Sequence, residues 1–174
     1  ELRQGALAGV LTTAVARAAD VPVGAVRRGA MMAGDLGIAA VAALTGGRPS
    51  LDAIDLEPLR PVQPMLASPA DDVADAMSSI ASPDAGEFAQ VDWKLDGARV
   101  QAHRLGGEVR LFTRNLNDVT GRLPEVVEVV RAIPGGDLVL DGEAMGLMDD
   151  GSPKAFQDSM RAATALDAFF FDVL

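Results

Sequence analysis

The stretch Val91-Asp92-Trp93-Lys94-Leu95-Asp96-Gly97-Ala98-Arg99 says more about fold and chemistry than any other part of the chain. Apolar and polar side chains alternate up to Leu95, which predicts a strand with Val91 and Trp93 in the core and Asp92 beside Lys94 on the opposite face. The chain has only two lysines, and Lys94 ends a strand-like run at a Lys-x-Asp-Gly turn. A lysine so placed is a candidate nucleophile, because an amine can attack a phosphorus atom and hold the phosphoryl group covalently.

Length and composition predict a folded protein of one domain or parts of two. The chain has 174 residues, 49% of them hydrophobic, and a mean hydropathy of +0.20, which is sufficient for a packed core. The absence of cysteine excludes disulfides and thiolate metal sites and fits a reducing cytoplasm. The longest apolar run, Ile38 to Leu44, is too short to span a bilayer, so we expect a cytoplasmic protein without a membrane partner.

Charge is distributed unevenly along the chain. The formal net charge of −10 argues against a general binder of nucleic acid, because a duplex repels a uniformly acidic surface. Residues 71–92 carry six acidic and no basic side chains, whereas residues 94–122 carry six basic and three acidic ones. The six bases are Lys94, Arg99, Arg104, Arg110, Arg114 and Arg122. We therefore predict that phosphate is bound within residues 94–122.

The first part of the chain predicts helices followed by a linker. Residues 1–45 are rich in alanine with apolar side chains at helical spacing, and Asp20-Val21-Pro22 separates the first two helices. Asp35 is a candidate cap for a third helix, which Gly46-Gly47 would end. Four prolines between Gly46 and Pro64 mark a linker and a domain boundary.

The second part of the chain predicts strands and one helix. Gly106-Gly107 between two alternating segments is the signal of a two-residue β-hairpin. Pro124 to Ala132 is typical of a helix with proline at its first position and three valines facing inward. The segments with strand-like patterns are Ala98 to Leu105, Glu108 to Thr113, Asp137 to Met148 (a strand pair or one long bent strand) and Phe169 to Leu174 (a buried strand).

Four motifs stand in a fixed order after the linker: Lys94-Leu95-Asp96-Gly97-Ala98-Arg99, Phe112-Thr113-Arg114-Asn115, Asp141-Gly142-Glu143 and Phe169-Phe170-Phe171-Asp172. This series resembles motifs I, Ia, III and IIIa of the covalent nucleotidyltransferases, most closely the ATP-dependent DNA ligases and, among these, the ligase B group of actinobacteria. Pro61 to Ala67 resembles the entry to their adenylation domain. Leu2-Arg3-Gln4-Gly5 and the following helix resemble the end of their helical DNA-binding domain.

The resemblance implies an α+β fold in parts of two domains. Residues 1–47 would be the C-terminal part of a helical DNA-binding domain, residues 48–61 a linker, and residues 62–174 the N-terminal part of a mixed or antiparallel-sheet adenylation domain. Motifs IV and V and the oligonucleotide-binding-fold domain have no counterpart here, so we expect a fragment. The span from Glu143 to Phe171 is shorter than the family usually shows, and the shortfall falls around Met160 to Leu166. Either the protein has a trimmed loop there or a segment is absent from the sequence, and we favour the second interpretation.

The resemblance also implies a role for each motif residue. Lys94 would attack the α-phosphorus of ATP, release pyrophosphate and carry AMP as a phosphoramidate. Arg99 and Arg114 would bind ribose or phosphate oxygens through forked hydrogen bonds. Deprotonating a free lysine at neutral pH costs about 4 to 5 kcal/mol. Arg99 and Arg114, together with a metal ion, would lower this cost because nearby positive charges disfavour the protonated amine. Asp92 would accept a hydrogen bond from the exocyclic amine of adenine.

Two further motif residues complete the implied site. Glu143 would hold the ribose hydroxyls or a Mg²⁺ ion, which prefers oxygen ligands. Phe171 would stack on adenine, with packing in the core as the alternative. His103 is expected to be structural or on the surface rather than catalytic, and Asp96 and Gly97 to shape the turn after the lysine.

Together these roles predict an enzyme that seals nicks in duplex DNA. AMP would pass from Lys94 to the 5′-phosphate, and the 3′-hydroxyl would then displace AMP, with Mg²⁺ stabilising the developing charge. We expect a monomer associated with the nucleoid of a bacterium. Two alternatives stay open: an RNA ligase or mRNA-capping guanylyltransferase that shares the lysine motif, and a DNA-binding module whose nucleotide site is vestigial.

Overall fold

The structure, a computed structural model, describes residues 4–65, 67–80, 88–159 and 166–174. It divides into two compact units: residues 1–64 together with 96–174, and residues 65–95. The helices of the first unit are α1 (Gln4–Ala18), α2 (Val23–Ala33), α3 (Leu36–Asp52), α5 (Pro124–Ala132), α6 (Phe156–Ser159) and a 3₁₀ turn, Thr120–Arg122. Its strands are β1 (Ala98–Leu105), β2 (Glu108–Thr113), β3 (Leu138–Met145) and β4 (Asp167–Val173), and the second unit contains α4 (Val73–Ile80). None of the described helices is both long and apolar enough to cross a membrane.

Helices α1 to α3 share one core made mainly of small side chains. Its buried members are Ala16, Ala25, Val26, Ala30, Ala39, Ala43 and Leu51. Gly29 permits the close approach of α2 and α3, because a Cβ there would lie 2.9 Å from a methyl group of Leu51. The alanine-rich composition therefore allows close helix packing with little side-chain volume.

The ends of the first helices follow the sequence signals. α1 ends at Ala18, and Pro22 stands directly before α2, where the missing N–H of proline costs no hydrogen bond. The Asp35 side chain caps α3 by accepting hydrogen bonds from the N–H groups of Gly37 and Ile38, at 2.5 and 3.1 Å. Both predictions are confirmed.

The prediction that Gly46-Gly47 ends the third helix is wrong in one respect. The helix direction breaks at Gly47, whose φ of 62° and ψ of −149° suit glycine, but the chain returns to helix and runs to Asp52. Pro49 fits this second piece because it lies in the first turn after the break. An ion pair between Arg48 and Asp52, 2.7 Å apart, spans the same turn. The first residues of the predicted linker are therefore helical.

The four strands form one antiparallel sheet in the order β2-β1-β3-β4. β1 and β2 make the predicted hairpin: Leu105 pairs with Glu108, and Gly106 between them has a positive φ of 57°. The bounds of the hairpin strands and of α5 are those that the sequence predicts. One face of the sheet packs on α5, and the buried cluster there consists of Val100, Ala102, Val109, Leu111, Val126, Val127, Val130, Leu140 and Ala144. Each buried valine or leucine contributes about 1.5–3 kcal/mol to folding.

Arg104 lies on the α5 side of the sheet although it is charged. Its guanidinium donates hydrogen bonds to main-chain oxygens at the end of α5 and in the turn after it, those of Val130, Arg131, Ile133, Gly135 and Gly136. The carbonyls of Val130 and Arg131 lie in the last turn of α5, at the negative end of its dipole, so the arginine caps the end of the helix. Arg110 is likewise paired with Glu108, at 2.6 Å. Arg104 is therefore buried and committed to the fold, and it is not among the bases of residues 94–122 that are available to phosphate.

Two strand predictions are also corrected. Residues 88–96 form neither helix nor strand, and the side chain of Trp93 is 94% exposed, as is nearly all of Val91. Alternation specifies a half-buried strand only where a neighbouring strand offers a hydrogen-bonding partner, and no described strand pairs with this segment. β4 is a strand as predicted but is not buried, because it lies at the edge of the described sheet and only Ala168 and Phe170 pack against the α5 cluster.

Residues 58–64, here called the strap, run from the helices to the second face of the sheet. The N–H of Leu59 donates to Nδ1 of His103 at 3.1 Å. The N–H of Val62 donates to Oε1 of Gln101 at 3.1 Å, and Nε2 of Gln101 donates back to the carbonyl of Val62 at 2.6 Å. Gln101 and His103 are consequently buried, and the strap covers the part of the face that they occupy.

Candidate active site

The second face of the sheet carries the motif residues of the first unit in one row. Arg99 of β1 pairs with Glu143 of β3, and Glu143 pairs with Phe169 of β4. Arg114 directly follows Thr113, which pairs with Val100, so Arg114 leaves β2 level with Arg99. Side chains alternate between the faces of a sheet, and the core residues Val100 and Ala144 point to the α5 side. Arg99, Glu143 and Phe169 therefore lie on the face away from α5, and Arg114 stands in the turn just beyond the end of β2.

Arg99 is held by Asp141 through both prongs of its guanidinium. Nε donates to one carboxylate oxygen of Asp141 at 3.0 Å, and a second guanidinium nitrogen donates to the other oxygen. This hydrogen bonding raises the pKa of Arg99; burial opposes the rise, and the charges of Asp141, Glu143 and Asp172 support it. The guanidinium stays charged and is fixed in orientation, which is the state needed to bind an anionic or hydroxyl-bearing ligand.

Glu143 fastens the start of β1, directly after the Lys-x-Asp-Gly motif. Its Oε1 accepts a hydrogen bond from the N–H of Gly97 at 3.0 Å. Gly97 also lies against β3, since a Cβ at this position would be 2.5 Å from the carbonyl oxygen of Ala144. The glycine of the motif is thus required by backbone packing, which agrees with the prediction that it shapes the turn. Glu143 itself is half-buried and remains on the open face.

Phe171 is the extra residue of a β-bulge in β4. Asp141 pairs with Asp172 and Gly142 with Phe170, so no residue of β3 pairs with Phe171. Its side chain is 53% exposed, whereas Phe170 packs into the α5 cluster. Phe170, and not Phe171, therefore packs into the core, and the ring of Phe171 is accessible to a ligand.

Gly142 explains how the bulge is accommodated. A Cβ at Gly142 would overlap the carbonyl oxygen of Phe169 and lie 3.0 Å from Cα of Phe170. Any larger residue would push β4 away from β3. The Asp-Gly-Glu motif therefore places two carboxylates on one face of β3. The residue between them is glycine because β4 packs closely against this position.

Asp92 and Lys94 belong to the second unit, residues 65–95. Both are exposed, and they stand in the segment without regular structure. The carboxylate of Asp92 accepts a hydrogen bond from Nε2 of Gln90 at 2.9 Å. The prediction that Asp92 and Lys94 share one face of a strand is not met within this unit, because the segment is not a strand.

The described residues contain no group of three or more His, Asp or Glu side chains arranged to hold a metal ion. The open face nevertheless offers single carboxylates, of which Glu143 is the one that the sequence predicts as a metal ligand. Mg²⁺ is commonly bound by one or two carboxylates together with substrate phosphates and water, so Glu143 alone is a chemically sufficient protein donor. The donor set fits magnesium in that mode.

The structure adds Asp141 and Asp172 to the residues that the sequence singles out. Asp141 lies two positions before Glu143 on a strand, so period-two alternation alone predicts that they share a face. The influence of Asp172 on Arg99 depends on the bulge and has no sequence signal of this kind. His103 is fully buried, and its pKa is lowered to about 4 by that burial. This agrees with a structural role and excludes the surface alternative.

Comparison with known proteins gives one family for most of the chain. The family model described as the ATP dependent DNA ligase domain matches residues 64–174. Curated relatives match along the whole chain. A probable DNA ligase of Pseudarthrobacter chlorophenolicus is 55% identical, one of Anaeromyxobacter sp. 53% and one of Rhodococcus opacus 49%. In each case the match covers 100% of this chain and 34% to 35% of the relative, so the chain spans about a third of their length.

A solved structure also aligns with part of the chain. The ligase domain from M. tuberculosis LigD is 30% identical over 48% of this chain and 28% of its own, with a TM-score of 0.42.

Proposed function

We propose, because this chain belongs to the family of ATP-dependent DNA ligase domains, that the whole protein seals nicks in duplex DNA with ATP. The observation that carries the proposal beyond the family is the row on the open face of the sheet. Arg99, fixed by Asp141, stands opposite Glu143, and the accessible ring of Phe171 belongs to the same strand as Phe169, the next member of the row. A cation, a carboxylate and an exposed ring suit the phosphate, ribose and base of a nucleotide.

Lys94 is the proposed nucleophile. Its Nζ forms a bond to the α-phosphorus of ATP, the bond from that phosphorus to the bridging oxygen breaks, pyrophosphate leaves, and the amine loses a proton. Three peptide units join Lys94 to Gly97, so connectivity keeps their Cα atoms within about 11 Å of each other. Glu143 accepts a hydrogen bond from the N–H of Gly97, the glycine of the Lys-x-Asp-Gly motif.

The other motif residues hold the nucleotide in this scheme. Arg99 and Arg114 bind ribose or phosphate oxygens, and Asp92 accepts from the exocyclic amine of adenine. Glu143 binds the ribose hydroxyls or is the carboxylate that holds Mg²⁺, and Phe171 stacks on the base. Magnesium, when bound, neutralises charge on the phosphates.

The later steps use the DNA. The 5′-phosphate of the nick takes AMP from Lys94, and the 3′-hydroxyl then attacks that phosphate and releases AMP. A protein that contacts both sides of a nick needs a cationic surface along the duplex, because phosphate contacts dominate affinity. The net charge of −10 restricts such contact to local patches, for which the exposed Arg17 and Arg27 on the helices and Arg122 near the sheet are candidates.

The proposal is tested by nucleotide labelling of the whole protein. Wild type, Lys94→Arg and Lys154→Arg are each incubated with Mg²⁺ and radioactive ATP or GTP, and nick joining is assayed in parallel. We expect labelling from ATP and joined product for wild type and Lys154→Arg. Lys94→Arg should give neither, because a guanidinium is always protonated and has no lone pair with which to attack.

The same assay separates the two alternatives. Labelling from GTP instead of ATP would favour a capping-type enzyme, and joining of RNA but not DNA nicks would favour an RNA ligase. Absence of labelling from both nucleotides, with DNA affinity unaffected by Lys94→Arg, would favour a DNA-binding module with a vestigial site. No observation on the described residues favours any of these over a DNA ligase.

A further inference from the structure

The side chain of Gln101 holds the strap through two hydrogen bonds to its main chain. The carboxamide of Gln101 both accepts from the N–H of Val62 and donates to its carbonyl, at 3.1 and 2.6 Å. This is the pair of hydrogen bonds that a neighbouring strand would form with one residue. Gln101 is 2% exposed, so neither bond has water as an equivalent substitute.

His103 adds a second point of attachment. Its Nδ1 accepts from the N–H of Leu59, which places the proton on Nε2, 3.4 Å from Oε1 of Gln101. The ring also meets Phe112 edge-on, with centroids 5.1 Å apart. The strap is thus attached at two residues, and the two side chains that attach it are in contact with each other.

The strap is attached to the helices at its other end. The N–H of Gln63 donates to the carbonyl of Met31 at 3.0 Å, and its side-chain amide donates to the carbonyl of Gly34 at 3.2 Å. Gly34 ends α2 with φ of 71°, and a Cβ there would lie 2.5 Å from the carbonyl oxygen of Pro61 and 3.5 Å from a methyl group of Leu116. The end of α2, the strap and the turn after Arg114 therefore meet at Gly34.

The attachment points adjoin the proposed nucleotide residues. Gln101 is the next residue after Arg99 on the same face of β1, and it pairs across the ladder with Asp141, which holds Arg99. Leu116 belongs to the turn that carries Arg114, closed by the hydrogen bond from the N–H of Thr113 to the carbonyl of Asn117 at 2.9 Å. A shift of the strap would therefore reach both arginines through direct neighbours.

We propose that Gln101 is a positioning residue that clamps the strap to the sheet, and that this clamp couples helices α1 to α3 to the nucleotide-binding arginines Arg99 and Arg114. Part of the inference rests on the proposed function: the clamp stands on its own, and the coupling to nucleotide requires that ATP is used. In this arrangement a displacement of the helices, such as contact with a macromolecule would cause, alters how firmly the arginines hold nucleotide.

The test is Gln101→Met in the whole protein, with Gln157→Met on the exposed side of α6 as the matched control. Methionine keeps the volume of glutamine and removes both hydrogen bonds to Val62. Hydrogen exchange at the amides of Leu59 and Val62 reports the clamp, and the ATP concentration that gives half-maximal AMP adduct reports the coupling. We expect faster exchange at both amides because their hydrogen bonds are weakened, and a severalfold increase in that ATP concentration because Arg99 and Arg114 are then held less firmly. The amount of adduct at saturating ATP should stay that of wild type, because no group that touches the nucleotide is changed.

A second variant displaces the strap without altering the sheet. Gly34→Ala adds a Cβ against the carbonyl of Pro61 at a positive φ, and Gly24→Ala, in open space at the start of α2, is its control. Gly34→Ala should raise the half-maximal ATP concentration in the same direction as Gln101→Met, and Gly24→Ala should not. This variant keeps the inference testable if Gln101→Met fails to fold.

The outcomes separate the clamp from the proposed function. Unchanged exchange at Leu59 and Val62 in Gln101→Met would overturn the clamp. Faster exchange with an unchanged ATP requirement, in either variant, would overturn the coupling. Absence of any adduct in wild type would refute the proposed function and with it the coupling, while the exchange measurement would still decide the clamp.

Discussion

Arg99 and Asp141 show how one buried pair can prepare a binding site. Asp141 is almost fully buried and Arg99 partly so, and their two-pronged contact leaves the guanidinium little freedom. The carboxylate also offsets the cost of keeping a cation in a partly desolvated position. A ligand that meets Arg99 therefore binds a side chain that is already ordered.

Asp141→Asn tests this pair. The amide removes the charge of the carboxylate but nearly preserves its shape, so we expect the free energy of unfolding to fall by about 1.5–3 kcal/mol, the value of a hydrogen bond to a charged group. Denaturant unfolding measures it. The control is Glu128→Gln, which removes the exposed partner of Arg131 and should cost below about 1 kcal/mol. Equal losses in the two variants would show that Asp141 contributes no more than a surface ion pair.

The buried His103 should make the free energy of unfolding depend on pH. Burial lowers its pKa to about 4, below the value of about 6.5 in an unfolded chain, so the unfolded state takes up the proton first as the pH falls. Stability should therefore be complete above pH 6.5 and decline towards pH 4, by at most about 1.4 kcal/mol per pH unit. His103 is the only histidine of the chain. His103→Gln should show a shallower decline over the same range in thermal unfolding, and an identical slope would contradict this account.

The sequence predicts which residues of the site share a face of the sheet where they lie two positions apart on one strand. Asp141 and Glu143 lie two apart on a strand, and Gly97 follows a motif whose geometry needs a glycine. Gln101 carried no such signal, since its two hydrogen bonds reach the main chain 39 residues away. Contacts of that range depend on how the chain is folded and are invisible to local pattern.

Among the elements, β4 contains three adjacent phenylalanines, of which one is packed in the core and two are exposed. Phe169, Phe170 and Phe171 are adjacent, yet only Phe170 packs on the α5 cluster, and the side chain of Phe171, the unpaired residue of the bulge, is 53% exposed. The apolar run predicts a buried strand here because apolar residues usually fill cores. The bulge, which depends on Gly142 opposite, decides otherwise.

The pair Phe170→Ala and Phe171→Ala separates structure from binding. Phe170→Ala should lower the free energy of unfolding by about 2 to 3 kcal/mol, since it empties space in the sheet core. Phe171→Ala should lower it by less than about 1 kcal/mol, because half of the ring is already exposed. It should instead raise the ATP concentration needed for adduct formation. The reverse pattern, with Phe171 critical for stability and neutral for ATP, would refute the stacking role.

The elements that the sequence predicted well are those with strong local signals. The hairpin, α5 and the cap of α3 each depend on residues within a few positions of one another, and all three are confirmed. The strand at Val91 to Leu95 was wrong because its alternation is local whereas its pairing is not. The strap was predicted only as a linker, since proline content indicates the end of regular structure and not what the segment contacts.

At the scale of the whole molecule, the described residues form two hydrophobic cores. One lies among α1 to α3 and the other between the sheet and α5, and the strap joins the helices to the face of the sheet opposite α5. The two-part organisation implied by the family resemblance, with boundaries near residues 47 and 62, stays a prediction. The family itself could be identified from four short motifs in a fixed order, and the family model matches the part of the chain that contains them.

If Lys94 is the nucleophile, it forms a covalent bond to AMP, which peptide mapping by mass spectrometry after incubation with MgATP detects. We expect one added AMP on the peptide that contains Lys94, present in Lys154→Arg and absent from Lys94→Arg. An unmodified protein, or AMP attached to Lys154 or to any side chain other than Lys94, would contradict it.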